Sequence, residues 1–366
     1  MKIRATLAVS AAAFGLILSG CSSSDSGSST ASESPSAAAS AGKVGVILPD
    51  SASSARWETA DRKFLEEAFQ AAGVEYDIQN AQGDKAKFQT IADQMLNAGA
   101  NVLMIVNLDS DTGAAVIKKA NAQGVKVIDY DRLTLNGDAA YYVSFDNVAV
   151  GTKIGEGLVK CMQDNGDTTG PVALLNGSPT DNNATLFKQG YETAITAAGY
   201  EVAADQSVPE WDNTKAGTIF EQMYTKANGD FIGVAAANDG LGGAAISVLD
   251  RNGEAGNIPV TGQDATDEGL QRVLLGTQCM TVYKAVKEEA DAAAALAIAL
   301  SKGETPATDQ VTKDPESGRE VPSVLLEPVA IFKDNVKEVV DDGFTTAENL
   351  CTTEKLKQAC TEAGIS

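Results

Sequence analysis

Residues 101–132, NVLMIVNLDSDTGAAVIKKANAQGVKVIDYDR, decide the fold. An apolar run (101–106) leads into a helical stretch (111–123) that stops at Gly124, and a second apolar run (125–130) follows at once. Strands this apolar on both faces, separated by one helix, belong to a parallel sheet covered on both sides. Toward the N-terminus the alternation continues as a strand 44–48 ending at Pro49, a helix 57–72 stopped by Gly73, a strand 74–79 and a helix 87–98 closed by Gly99. After Asp146 it restarts with helix 148–163, strand 172–175, helix 184–198, strand 200–206 and helix 213–227. Strand 231–236, helix 240–252 and strand 258–261 complete this second unit. Beyond it come a helix, a strand 280–283, an Ala-rich helix 285–301, a polar loop 303–321, a strand 324–331 and terminal helices. The expected fold is α/β, with two doubly wound parallel-sheet lobes.

Composition narrows the chemistry. The chain has 366 residues, and 28 Lys and Arg against 50 Asp and Glu give a net charge of −22. That balance argues against nucleic acid as partner, because phosphate neutralisation needs clustered cations. There is no histidine. Ser-His-Asp and Cys-His nucleophile systems, His-ligated zinc and the usual neutral-pH proton shuttle are therefore all excluded. No calcium-loop pattern is present, and neither a metal nor a cofactor is expected. A binding protein is the better reading than an enzyme.

The first residues read as an address. Lys2 and Arg4 precede an apolar run (5–18) too short to span a bilayer, and Leu18-Ser19-Gly20-Cys21 ends it. The tetrapeptide resembles the lipobox of bacterial lipoproteins, which implies a signal peptide 1–20 and a lipidated Cys21; the alternative is a plain secretory signal with an incidental cysteine. Ten of the 21 residues from 22 to 42 are serine, so this stretch is expected to be a disordered spacer. The protein is then extracytoplasmic and tied to the membrane through its anchor alone. Cys161, Cys279, Cys351 and Cys360 remain. An exported context permits two disulfides in three connectivities, with Cys351–Cys360 the local choice, or free buried thiols.

In parallel α/β sheets ligands bind beyond the carboxyl ends of the strands. Those ends carry residues 50–57, Asn107-Leu108-Asp109, Asp129-Tyr130-Asp131-Arg132, residues 176–183, Asn238-Asp239 and Gly262-Gln263-Asp264. The set is dense in Asp, Asn, Gln and Arg, and two tryptophans, Trp57 and Trp211, lie nearby. A polar, uncharged ligand with many hydroxyls suits it.

Arg56-Trp57, Tyr130-Asp131-Arg132, Ser144-Phe145-Asp146-Asn147, residues 177–183, Ala237-Asn238-Asp239, Gly262-Gln263-Asp264 and Met280-Thr281-Val282-Tyr283-Lys284 resemble, in register, the periplasmic sugar-binding proteins of ABC importers of the ribose/galactose/xylose type. The similarity runs from about 43 to 344. It implies the type I periplasmic-binding-protein fold, with lobes 43–145 plus 264–326 and 146–263 plus 327–366, joined by three hinge crossings near Phe145/Asp146, Gln263/Asp264 and Leu326. It also implies a monomer that closes on a monosaccharide, D-xylose favoured, and delivers it to ABC permease subunits. By the same resemblance Asp131, Asp181 and Asp264 accept from sugar hydroxyls, Arg56 and Lys284 donate, and Asn183 and Asn238 do both. Trp57 and Trp211 form stacking walls, with Phe145 as a third contact. Arg132 either joins the site or pairs with Asp146 at the hinge. One of Asp181 and Asn183 caps the following helix while the other faces the cleft.

Competing readings are weaker. Glycoside hydrolysis needs one carboxyl kept protonated, whereas Arg56 and Lys284 would hold these acids ionised. A repressor lacks its helix-turn-helix. Presentation of sugar to a chemoreceptor uses the same cleft, and glucose, ribose or galactose are the alternative ligands.

Overall fold

The computed structural model describes residues 42–366. The expected signal peptide, Cys21 and nearly all of the serine-rich spacer lie outside the described residues. The elements in chain order are β1 Lys43–Leu48, α1 Arg62–Ala72, β2 Glu75–Asn80, α2 Lys85–Asn97, β3 Ala100–Ile105, α3 Ser110–Ala122, β4 Lys126–Tyr130 and β5 Tyr141–Phe145. There follow α4 Asn147–Asp164, β6 Pro171–Asn176, α5 Asn182–Ala197, β7 Glu201–Ser207, α6 Asn213–Lys226, β8 Gly233–Ala236 and α7 Asp239–Arg251. The last third holds α8 Asp267–Leu275, β9 Thr281–Tyr283, α9 Val286–Ser301, β10 Gln310–Lys313, β11 Glu320–Leu326 and β12 Val329–Ile331, then α10 Val336–Asp341, α11 Ala347–Leu350 and α12 Glu354–Glu362.

β1 shows why the first sheet is buried on both faces. Side chains alternate along a strand, so Val44, Val46 and Leu48 pack with α1 and α9, while Ile47 packs with α2 and α3 on the other side. The resulting sheet runs β10-β11-β5-β4-β3-β1-β2, parallel except for the β10–β11 pair. A second parallel sheet, β7-β6-β8, is covered by α4 and α5 and by α6 and α7, and an antiparallel pair β9–β12 completes this half. The mixed α/β architecture with two separate parallel sheets is that expected from the sequence.

Four expectations are corrected. Residues 303–321 are not all loop: β10 and the start of β11 lie there and extend the first sheet. The expected strand 324–331 is two strands, because Glu327-Pro328 interrupts it and Pro offers no N–H to a ladder; β11 joins β5 in the first sheet and β12 joins β9. The expected strand 258–261 is reduced to a bridge between Val260 and Val234. Finally, α8 packs on α7 and α12, and β9 on α4, so residues 264–284 lie with the second sheet and the chain returns to the first only at α9. That crossing therefore falls after Lys284, not at Gln263/Asp264. The other two changes of sheet follow Phe145 and Leu326. Cys161 pairs with Cys279 and Cys351 with Cys360.

Candidate functional site

The site begins with a wide helical turn. Residues Trp57–Asp61 wind as one π-helical turn before α1, and a five-residue period brings Asp61 back against Arg56. Arg56 Nε and Nη2 donate to the two Asp61 oxygens at 2.9 and 2.7 Å. Nη2 also meets Glu289 Oε2 of α9 at 2.7 Å, and Nη1 meets Asp131 Oδ2 at 3.1 Å. The guanidinium lies 4.4 Å from the centre of the Trp57 ring. Arg56 is 2% exposed, so this is a buried ion cluster with its cation fully engaged.

Asp131 follows β4 with φ 62°, a left-handed conformation rare for a non-glycine residue and typical of functional turns. Its Oδ2 also faces Lys284 Nζ at 3.3 Å, and Lys284 in turn lies 3.3 Å from Asp264 Oδ1. Burial pushes the Asp131 carboxyl up, but Lys284, Arg56 and Arg132 outweigh it and bring its pKa down to about 2. Glu289 shows the opposite balance. Burial and the neighbouring Asp131 charge push its pKa well above the usual carboxylate range, against the pull of Arg56 and Lys284.

From the second half, Asp181 caps α5 by accepting from the Asn183 N–H at 2.9 Å. Its other oxygen accepts from Trp211 Nε1 at 3.0 Å and pairs with the Arg132 guanidinium, whose Nε lies 3.0 Å away. Asp181 therefore caps and faces the cleft together. Asn183 Nδ2 crosses to the Asp131 carbonyl at 2.8 Å, and Asn238, the cap of α7, donates to the Ser53 carbonyl at 3.1 Å. Trp211 has φ 55° and stands where a Cβ on Gly177 would come within 2.0 Å of its ring; only glycine leaves room for it. Phe187 meets Trp211 edge-on at 6.4 Å.

These groups converge on a tight cavity of about 20 Å³ between the two halves, room for about one water molecule. Nine of the eleven expected residues line it: Trp57, Asp131, Arg132, Asp181, Asn183, Trp211, Asn238, Asp264 and Lys284. Two do not. Arg56 stands behind Trp57 and Asp131, and Phe145 is 1% exposed in the core, with its ring 5.8 Å from Lys284 Nζ. The expected Arg132–Asp146 pair is also absent, since Arg132 binds Asp181 and the Asn107 carbonyl while Asp146 caps α4. Ser53, Ser54, Phe187 and Gln263 complete the wall. Phe187 lies one helical turn beyond Asn183, and that spacing is the signal that would have found it.

Ser54 Oγ, Gln263 Oε1 and Asp264 Oδ1 are buried without a hydrogen-bond partner among the described residues. A buried polar atom left unpaired costs about 1–3 kcal/mol, so three on one wall describe a surface that a hydroxyl-rich ligand satisfies. The carboxylates are already matched by cations, which selects a neutral ligand over a charged one. Flat rings at Trp57, Trp211 and Phe187 suit the C–H faces of a sugar ring.

Comparison with known proteins agrees. The family described as periplasmic binding protein domain matches residues 44–305. The chain is 34% identical over 307 residues to the D-xylose-binding periplasmic protein of Escherichia coli K12, covering 82% of this chain and 90% of that protein. It is 33% identical to the multiple sugar-binding periplasmic receptor ChvE of Rhizobium radiobacter, covering 86% and 94%. An ABC transporter solute-binding protein from Clostridium phytofermentans, solved with bound β-D-glucose, superposes with a TM-score of 0.76 at 28% identity, covering 84% of this chain and 99% of that one. The family match over most of the chain, joined to the strand-end cavity, makes this chain a member of the periplasmic sugar-binding proteins of ABC transporters, a binding protein and not an enzyme.

Proposed function

We propose that this chain captures D-xylose in the cavity between its halves and hands it to the permease of an ABC importer. The observation that carries the reading is the set of buried polar atoms without a hydrogen-bond partner at Ser54, Gln263 and Asp264, facing aromatic rings at Trp57, Trp211 and Phe187 across one cavity. A monosaccharide supplies donors for the first and an apolar face for the second. The E. coli and Haemophilus influenzae relatives named for D-xylose, each 34% identical, favour the pentose. Hinge rotation about the three chain crossings opens and closes the cleft. Leu18-Ser19-Gly20-Cys21 supports lipidation at Cys21 and a protein that works outside the membrane, tethered by its spacer.

D-Glucose is the second reading, favoured by the glucose-bound structural neighbour. A pentopyranose lacks only the C6 hydroxymethyl, a difference that pocket shape alone separates by about 10–200-fold. Calorimetry on protein beginning at Lys43 decides between them. Tighter binding of D-xylose than of D-glucose supports the pentose, the reverse order supports the hexose, and no heat with any aldose overturns the sugar reading.

A further inference from the structure

Asn238 and Asp239 open α7 side by side, yet they face opposite ways. Asn238 lines the cavity, whereas Asp239 is 0% exposed behind the turn that carries Gln263 and Asp264. Asp239 Oδ2 accepts from the Thr266 N–H at 2.8 Å and from Thr266 Oγ1 at 3.2 Å, and Oδ1 accepts from Gln278 Nε2 at 2.7 Å. The Asp239 N–H donates to the Gln263 carbonyl at 3.0 Å. One residue thus clasps both ends of the segment 263–266. Inside it, Asp264 and Ala265 have φ 93° and 49°. Two consecutive left-handed non-glycine residues are strained, and persist only where their surroundings over-determine them. The chain is shaped around this carboxylate, since a Cβ on Gly262 would come within 2.1 Å of Oδ1 and one on Gly269 within 2.2 Å of Oδ2.

We propose that Asp239 is a positioning residue for ligand binding: its carboxylate, from outside the cavity, holds the Asp264–Ala265 turn in the left-handed form that turns Gln263 and Asp264 toward the ligand. The proposal rests on the sugar-binding reading and deepens it. The oxygens hydrogen-bond only to donors, from Thr266 and Gln278. The charged groups facing Asp239 are Arg272 of α8, which also donates to the Asp239 carbonyl at 2.6 Å, and Glu268 beyond Arg272; β9 presents the hydroxyl of Thr281, and the loop before it presents the uncharged Gln278. On the cavity side the turn meets Lys284 at 3.3 Å and Arg56 at 3.9 Å. Two other ties, Asp264 N–H to the Val282 carbonyl and Ala265 N–H to Thr281 Oγ1, hold the turn to β9. Burial pushes the Asp239 pKa up to about 6, against Arg272, Gln278, Thr281 and Thr266. Protonation places an O–H among donors, so the clasp loosens as pH falls through that value.

Asp239→Asn tests this with D-xylose as the probe. At about pH 7.5 the variant is expected to bind on the order of tenfold more weakly than wild type. Wild-type affinity is expected to fall toward the variant's value by about pH 5, and the variant's profile to stay flat. A ligand-free readout keeps the two readings apart, because exchange of the Thr266 amide should be faster in the variant at equal pH. Equal affinity, pH profile and Thr266 exchange in both proteins overturns the inference. Faster exchange in a protein that takes up no sugar supports the clasp and removes the sugar reading. If Asp239→Asn does not fold, Gln278→Met removes one donor and keeps the carboxylate; the same weakening is expected, and wild-type affinity overturns the inference.

Discussion

Arg56 Nη1 donates to Asp131 Oδ2 at 3.1 Å from behind the cavity wall, so the arginine orients a carboxylate that lines the cavity without lining it itself. The Asp131 charge is fixed by Lys284 and Arg132 as well, and its pKa lies at about 2. A depressed folded pKa adds stability that is fully present above the unfolded value of about 3.9 and is lost as pH falls toward 2.

Arg56→Met should therefore cost stability before it costs recognition. It removes one partner from a cluster in which Asp61, Asp131 and Glu289 are buried, and breaking such a cluster costs about 3–5 kcal/mol. Urea denaturation is expected to show that loss, with weaker sugar binding beside it from a misoriented Asp131. Unchanged stability with lost binding would put Arg56 in the wall after all.

Glu289→Gln separates charge from shape. The raised pKa means that the folded protein holds a proton the unfolded chain has released above its ordinary value near 4.5, so this group makes stability fall as pH rises. The slope has a ceiling of about 1.4 kcal/mol per pH unit. Glutamine keeps an oxygen for Arg56 Nη2 and cannot titrate. Stability curves at about pH 5 and 8 should then be flatter for the variant than for wild type, and parallel curves would contradict the assignment.

What was legible followed from period and topology. The β1, β3 and β4 strands are visible because strands buried on both faces read as continuous apolar runs. β10 was not, because Gln-Val-Thr-Lys is a half-exposed edge strand with no apolar run, and Val311 in it is 61% exposed. Nine of the expected residues line one cavity because parallel topology gathers the strand ends that carry most of them. Adjacency of Arg56 and Trp57 showed which loop they share but not that the arginine lies behind the ring. Glu289 sits in an Ala-rich helix where an acid reads as solvent-facing, and its burial depends on Arg56, 233 residues away in sequence.

Gly177→Ala tests the aromatic wall. The added methyl falls within 2.0 Å of the Trp211 ring, and the neighbouring Trp211 backbone is already left-handed. Overpacking of this kind costs about 1–3 kcal/mol, and moving the ring is the easier relief. Ligand affinity is expected to drop together with a change in tryptophan fluorescence. Wild-type affinity and emission in the variant would show that Trp211 is no stacking wall.

Asp264→Asn tests the proposed ligand contact at a cavity-lining carboxylate. Oδ1 has no hydrogen-bond partner among the described residues, although Lys284 stands 3.3 Å away. Hydrogen bonds to a charged group contribute about 1.5–3 kcal/mol, so removing the charge should weaken D-xylose binding by roughly 10–150-fold. Because ligand binds only the native state, the rise in Tm on adding sugar should shrink by the matching amount at fixed ligand concentration. The ligand-free Tm is expected to move little, since the asparagine fills the same volume beside Lys284. A variant with a full ligand-induced Tm rise would leave Asp264 a residue that merely secures its turn.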